Sequence, residues 1–319
     1  MLTLTQRLLF VLSFISRMAI SMSMRHNAPI PPTTARLTDR FPRLVFDGAF
    51  SDLFGGQNIK KTSNGSQVSL MLDKTSGSGF KSNDAYYYGF FSAAIKLPMD
   101  YSAGVVVAFY MSNSEAYPHN HDEMDFELLG HEKRKEWALQ TNVYGDGSTG
   151  IGREEKFFLW FDPTADFHEY SLIWNQHHIV FLVDNLPVRE VNHSVAMARA
   201  YPSKPMSIYS TIWDGSQWAT HGGKKPVNYK FGPFVASFKN FLVAGCAWNQ
   251  TNAAPSCTRG GGQSGRLALD PIEGDEFVKL SAEQQRGMEW VRSKFMFYSY
   301  CNDLSRFSVL PPECKEGKH

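Results

Sequence analysis

The chain has little of several things, and each shortage narrows what it can be. Across 319 residues there is almost no net charge: 32 Lys and Arg balance 31 Asp and Glu to +1. Without a global field, nucleic acid and anionic membrane are poor partners, and a neutral or weakly charged one is the better default. Only the first two dozen residues hold an apolar run, and it falls short of the ~20 residues that a membrane span requires. Cysteine is scarce, with Cys246, Cys257, Cys301 and Cys314 all in the last quarter. None shows C-x-x-C spacing, which disfavours a structural zinc site. The Gly-rich stretch TRGGGQSG at 258–265 is followed by neither Lys-Ser nor Lys-Thr, which rules out a phosphate loop. Between residues 45 and 245 no helix-length amphipathic segment stands out.

What is present starts with a leader. Arg7 precedes an apolar run from Leu8 to Ile15, and small residues Ala19, Ser21 and Ser23 follow. That layout is a secretory signal peptide over 1–23, with Arg17 an unusual intruder. A single-pass anchor is the alternative. Secretion suits an even cysteine count in two spaced pairs, most simply Cys246–Cys257 and Cys301–Cys314. Each short loop would add roughly 2–3 kcal/mol by restricting the unfolded chain. The sequons at Asn64, Asn192 and Asn249 are glycosylation candidates compatible with an oxidising, extracellular setting.

Residues 24–44 are Pro-rich and without period, which predicts an extended lead-in and no packed element. From 45 to 245, short aromatic and β-branched runs recur between Gly, Asn, Asp and Pro, at 67–72, 86–95, 105–110, 156–161, 170–174, 179–183 and 207–212. Many closely spaced strands imply an all-β antiparallel sandwich or jelly roll. A short helix is possible at 195–199. Residues 246–319 form a C-terminal extension in which Ser281 and Gln284 make a capping-box pair. Met288, Val291 and Phe295 then repeat at helical spacing, and the strand-like FMFYSY leads into Cys301.

The sharpest local feature is His121-Asp-Glu-Met-Asp-Phe-Glu-Leu-Leu-Gly130. In a strand, Glu123, Asp125 and Glu127 share one face, and Met124, Phe126 and Leu128 share the other. Three neighbouring carboxyls repel, so at least one pKa must rise. A retaining glycosidase needs one ionised carboxylate as nucleophile and one protonated partner ~5–5.5 Å away. Residues four apart on a straight strand sit ~13 Å apart, so the outer side chains must lean together on a curved sheet. Two plainer readings compete: a solvated acidic face, or metal ligation by His119, His121 and Asp122.

The strand with its surroundings resembles the plant xyloglucan endotransglucosylase/hydrolases of glycoside hydrolase family 16. Their hallmark is HDE, hydrophobic, D, hydrophobic, E, then Gly. The resemblance continues through Gly77-Ser-Gly-Phe-Lys-Ser82, Tyr88-Gly-Phe-Phe-Ser92, Gln140-Thr-Asn-Val-Tyr144, Leu159-Trp-Phe-Asp-Pro163, Trp213, Trp218-Ala-Thr, Tyr300-Cys-Asn-Asp303 and Pro311-Pro-Glu-Cys314. It implies a concanavalin-like jelly roll, Glu123 as nucleophile, Glu127 as acid/base and Asp125 as helper. It also implies substrate contacts at Glu127, Gln140, Thr141, Asn142, Gly152, Arg153, Glu154, Gln217, Trp218, Gly222 and Arg306. In a regular strand, however, Thr141 points opposite to Gln140 and Asn142, and Trp213 can equally be core. No metal or cofactor is implied. Xyloglucan donor and acceptor chains are the partners, and a monomer in the cell wall or apoplast is the setting. Departures are the missing sequon at 130–133, Gln217 where Asp or Ser is frequent, and Leu128 for Phe. The loop 144–153 is longer than in many of the family's transferases and shorter than in its dedicated hydrolases. That loop, with Trp218-Ala-Thr-His-Gly-Gly and the closing Gly-Lys-His, resembles the family's subgroup of longer members regarded as transglucosylases; an endo-glucanase hydrolysing xyloglucan or mixed-linkage glucan and a non-catalytic glycan-binding protein are the rivals.

Overall fold

The computed structural model describes residues 29–133, 136–249 and 274–315, together with 254–255, 257–258, 268–269 and 271–272. The expected leader at 1–23 and most of the Gly-rich stretch lie outside the described residues. Two sheet layers enclose one core. The front layer runs β1 (Phe50–Phe54), the first half of β4 (Ser78–Lys96), β12 (Met206–Asp214), β5 (Val105–Ser112), β6 (Glu123–Gly130), β7 (Trp137–Tyr144), β8 (Glu155–Phe158) and β17 (Met296–Ser299). The back layer runs β2 (Ile59–Lys61), β3 (Gln67–Leu72), β13 (Phe234–Asn249), the second half of β4, β9 (His168–Trp174), β10 (His178–Val183) and β11 (Leu186–Asn192). The short pieces Ala254–Pro255 (β14), Cys257–Thr258 (β15) and Ala268–Leu269 (β16) lie between β13 and β17. Apart from the β15–β16 pair, all of these pairings are antiparallel.

The 19-residue β4 belongs to both layers. Its first half pairs with β1 and β12, its second with β9 and β13. The change of layer falls where Tyr88 adopts a φ of 75°, a left-handed value that redirects the strand. The β10–β11 hairpin turns at Asp184 and Asn185, with φ of 50° and 64°, the pair of positive values that a two-residue hairpin turn needs.

Pleat alternation explains the core. Met124, Phe126 and Leu128 are fully buried, on the side of β6 that faces the back layer. Phe126 meets Phe181 of β10 edge-on at 5.1 Å and Tyr170 of β9 at 5.8 Å. At the other end of the sandwich Phe80 packs edge-on against Phe238 and Phe241 at 5.5 and 5.7 Å. Such aromatic pairs add to area burial in holding two sheets in one register.

The lead-in departs from expectation. Leu37–Arg40 forms a 3-10 turn, with Leu37 and Thr38 buried. The Thr38 amide donates to Asn185 Oδ1 at 3.0 Å and its hydroxyl to Glu169 Oε2 at 2.9 Å. Phe41 stacks on Phe90 at 5.3 Å. The Pro-rich composition hid a segment that docks on the back layer through Leu37, Thr38 and Phe41, while Ile30 stays exposed. Residues 195–200 form successive turns, not a helix. One-turn helices occur at Phe46–Ala49 (α1) and Asp275–Val278 (α2).

The C-terminal helix Ala282–Phe295 (α3) starts where its sequence says. Ser281 Oγ accepts from the Gln284 amide at 3.2 Å, and Gln284 Oε1 accepts from the Ser281 amide at 2.9 Å. Val291 and Phe295 are buried, and Met288 packs against the core. After it, β17 pairs with β8, so the extension supplies the edge strand of the front sheet. Cys301 and Cys314 are bonded as expected. Cys246 is also disulfide-bonded, and the side chain of its expected partner, Cys257, lies outside the described residues. Asn64 and Asn192 are exposed, whereas the side chain of Asn249 is outside the described set. Replacing Phe126 with Ala is expected to cost about 3–5 kcal/mol of unfolding free energy in urea titrations, the usual penalty for emptying a large aromatic site. A loss below 1 kcal/mol would mean that the two layers do not depend on this contact.

Candidate active site

Strand β6 lies between β5 and β7, and the register fixes its neighbours. Ser112, Glu123 and Tyr144 align across the three strands, as do Tyr110, Asp125 and Asn142, and then Ala108, Glu127 and Gln140. All are on the face opposite Phe126, so the three carboxyls line one open cleft. Ala108 keeps the floor beside Glu127 low. Phe54, Thr211 and Trp213 continue the cleft across β1 and β12, and Asn142 and Tyr144 continue it across β7. It therefore runs across the strands, with room for an extended ligand.

Burial dominates the electrostatics. Asp125 is 7% exposed, and desolvation followed by repulsion from Glu123, Glu127 and Glu154 pushes its carboxyl well above the usual range. Desolvation also raises Glu123, opposed by a hydrogen bond from Ser112 and by the charge of His121, whose Nε2 is 3.8 Å from Glu123 Oε2. Glu127 is pushed up to about 7, chiefly by desolvation. The Gln140 amide donates to Glu127 Oε2 and works against that rise. Lys156, which faces Gln140 across β7 and β8, also lowers it. The cluster thus holds carboxyls of different proton affinity side by side, the condition for one acid and one base at a single pH.

His121 and Asp122 leave the strand on opposite sides. Asp122 is fully buried and accepts the backbone amides of Asp146, Ser203 and Lys204 at 2.7–2.8 Å, along with the Lys204 ammonium at 2.7 Å. Its carboxylate fastens two loops behind the site, and does not join His119 and His121 as a ligand set.

The resemblance-based contacts divide. Gln140 and Asn142 face the cleft, as expected. Asn142 Nδ2 donates to Tyr144 Oη at 2.7 Å, while its Oδ1 accepts from the Arg153 amide at 2.8 Å. Thr141 is a correction: it pairs with Phe126, is fully buried on the core side and accepts Arg189 Nη1 at 3.1 Å on its hydroxyl. Strand parity denies it to the cleft. Arg153 is a second correction as a side-chain contact. Its guanidinium is 4% exposed, with Nε donating to Glu313 Oε1 at 2.6 Å and Nη1 to Ser148 and Ile151 at 3.3 Å.

Gly152, Glu154 and Arg306 come together at the far side of the front sheet, where Arg306 Nη1 donates to Glu154 Oε2 at 2.5 Å. A Cβ at Gly152 would lie 2.3 Å from Glu154 Oε1 and 2.5 Å from Arg306 Nη2, so a side chain here would push the tips of this pair aside. Gln217 and Trp218 flank a recess beside the cleft that shares Trp213 with it, and the two indoles are 6.0 Å apart. Gly222, at a φ of +65°, has open space about it. Sequence reasoning missed Phe54, Tyr110, Tyr144 and Lys156 and left Trp213 undecided. Alternation along β5 and β7 puts Tyr110 and Tyr144 on the cleft face once the pairing partner is known, and the pairing is what a linear reading lacks.

Comparison with known proteins agrees with this geometry. Residues 46–231 match the model for Glycosyl hydrolases family 16, and residues 272–314 that for the Xyloglucan endo-transglycosylase (XET) C-terminus. The chain belongs to the xyloglucan endotransglucosylase/hydrolases of glycosyl hydrolase family 16. It is 48% identical to the probable xyloglucan endotransglucosylase/hydrolase protein 28 of Arabidopsis thaliana, over 95% of this chain and 87% of that one. Identity to xyloglucan endotransglucosylase/hydrolase protein 31 of the same plant is 38%, over 95% and 99%. The same fold occurs in the apo Crh5 transglycosylase, at a TM-score of 0.50 and 18% identity over 69% of this chain and 89% of that one. It also occurs in the laminarinase catalytic domain from Thermotoga petrophila, at 0.50 and 14% over 66% and 96%. In this family member the first match contains the carboxylate strand, and the second contains α3, β17 and Arg306.

The raised Glu127 pKa has a consequence for stability. The folded protein holds that proton more tightly than the unfolded chain does. The resulting stabilisation is complete below the unfolded carboxyl pKa near 4.5 and is lost as pH rises through about 7. Between pH 5 and pH 8 the wild type should lose about 2–3 kcal/mol from this group, and Glu127→Gln should lose correspondingly less. Denaturant titrations at the two pH values measure this, and equal losses would refute it.

Proposed function

We propose that the chain cuts the β-1,4-glucan backbone of xyloglucan and transfers the fragment to the 4-hydroxyl of another xyloglucan chain, by a retaining double displacement. The observation that carries this reading is the desolvated carboxylate triad in an open cleft with Glu127 raised to about 7. A carboxyl with that affinity is still largely protonated at mildly acidic pH and can donate to the glucosidic oxygen. Glu123 then attacks the anomeric carbon to give a covalent glycosyl-enzyme as the leaving chain takes the Glu127 proton. Asp125, crowded between the two, is best kept protonated. As a neutral donor it would hold a hydrogen bond to Glu123 without adding a third negative charge.

In the second half Glu127, now the base, removes the proton from the incoming 4-hydroxyl, and the bond to Glu123 breaks. Water at roughly 55 M competes, so the acceptor must be positioned to win. Well-oriented groups reach effective molarities of ~10⁵–10⁸ M. Trp213 and Trp218 supply indole faces for pyranose rings, and Gln140 and Asn142 supply amides for hydroxyls. The names of the relatives, together with the leader and disulfides, support secretion and action in the plant cell wall. A hydrolase acting on the same backbone is the second reading, favoured by the same carboxylates.

The test follows a fluorescent xyloglucan oligosaccharide entering polymer while reducing ends are counted. Label incorporation without net new reducing ends is expected. Reducing ends without incorporation would assign a hydrolase, and neither signal from folded protein would point first to another glucan substrate and then to a glycan-binding module. Glu123→Ala should remove turnover with folding intact, and Glu127→Gln should lower it by about 10²–10⁴-fold. Donor cleavage should decline as pH rises through about 7, where Glu127 loses its proton. A rate that stays flat to pH 9 would take that role from Glu127.

A further inference from the structure

Beyond the cleft, a second cluster of titratable groups forms where the loop after β6 meets the loop after β12. His131, Glu132 and His221 each offer a ligand atom, and these atoms lie within 4.8 Å of one another. Glu132 Oε2 is 3.1 Å from His221 Nε2 and 3.6 Å from His131 Nδ1. The rings of the two histidines meet edge-on with centroids 5.3 Å apart. Glu136 Oε2 is also 3.6 Å from His131 Nδ1, which accepts from the Lys133 amide at 3.2 Å.

We propose that His131, Glu132 and His221 form a site for a divalent transition-metal ion of the zinc or copper class, tying the Trp218 loop to the end of the carboxylate strand. Zinc bonds nitrogen and carboxylate oxygen at ~2.0–2.2 Å, which sets tetrahedral ligand-to-ligand edges near ~3.4 Å. Two edges of the cluster, at 3.1 and 3.6 Å, already bracket that value. The third closes by rotation of exposed His221, with the Lys133 amide giving up the nitrogen that turns to the metal. Water or Glu136 completes the fourth position. Two imidazoles with one or two carboxylates suit zinc, copper or nickel, whereas calcium takes six to eight oxygens.

The mechanical consequence follows from what the loops already share. Thr220 Oγ1 donates to the Gly130 carbonyl at 2.8 Å and accepts from the Gly104 amide at 2.8 Å. The adjacent His221 would add a second tie between the same two segments. At Gly223, a Cβ would lie 2.3 Å from the Gln217 carbonyl, so the loop is folded back on the residues that flank the Trp218 recess. A metal at His221 therefore stiffens the wall of that recess without touching the carboxylates.

The test uses the full secreted protein, stripped with chelator, and zinc or cobalt chloride alone. One equivalent of zinc should bind and raise Tm by about 5 °C at a hundredfold excess over Kd. Cobalt should give visible absorption bands, and calcium neither effect. His221→Ala and His131→Gln should each abolish the binding and the cobalt spectrum, with His221→Ala keeping the metal-free transfer rate. Absence of binding below millimolar zinc would overturn the proposal. So would binding retained in both variants with loss of turnover, which would place the metal on the cleft carboxylates.

Discussion

One constraint organises the molecule: a single pleated strand has to satisfy two environments at once. On one side of β6, Met124, Phe126 and Leu128 fill the space between the layers, with Phe126 against Phe181 and Tyr170. The pleat then leaves Glu123, Asp125 and Glu127 no choice of face. Core packing fixes the strand's rotation, and that rotation forces three carboxyls into one cleft. The hydrophobic term that stabilises the fold is therefore also what holds mutually repelling groups together, a cost of proximity that isolated carboxylates would not accept. Their raised proton affinities are the chemical product of that compulsion.

The C-terminal extension is fastened beside this cleft by three successive residues. Arg153 pairs with Glu313, Glu154 with Arg306, and Glu155 with Arg292 through two bonds of 2.7 and 2.9 Å. The first and third pairs are largely buried, the middle one partly exposed. Buried pairs of this kind contribute little net stability over apolar replacements, but breaking one strands a charge, so they specify a single seating of the segment. With β17 added to β8, the extension is a structural part of the front sheet. Its family-level match beside the catalytic-domain match has a physical counterpart in that shared edge.

Local patterns were readable in proportion to how local their physics is. The β6 alternation, the Ser281–Gln284 cap and the 67–72 strand need only near neighbours, and the structure places each where the sequence implied. Thr141 and Arg153 show the opposite. Family resemblance offered both as ligand contacts, yet strand parity turns Thr141 inward and a partner 160 residues away claims Arg153. The lead-in looked unstructured because it is Pro-rich, while its buried groups are satisfied by Asn185 of the β10–β11 turn and Glu169 of β9, both far away in the chain.

By itself, then, the sequence determined the all-β class, the acidic strand with its two faces, the helix start and the family. These follow from the pleat period, the cap chemistry and residue motifs carried in order along the chain. Only the tertiary structure decided which aromatic rings line the cleft, that Gln140 sits between Glu127 and Lys156, and that His131 meets His221. Each of these is a meeting of segments far apart in the chain. Sheet register and loop closure decide such meetings, because the free energy that selects them comes from burying whole layers together and is written in no single stretch of residues.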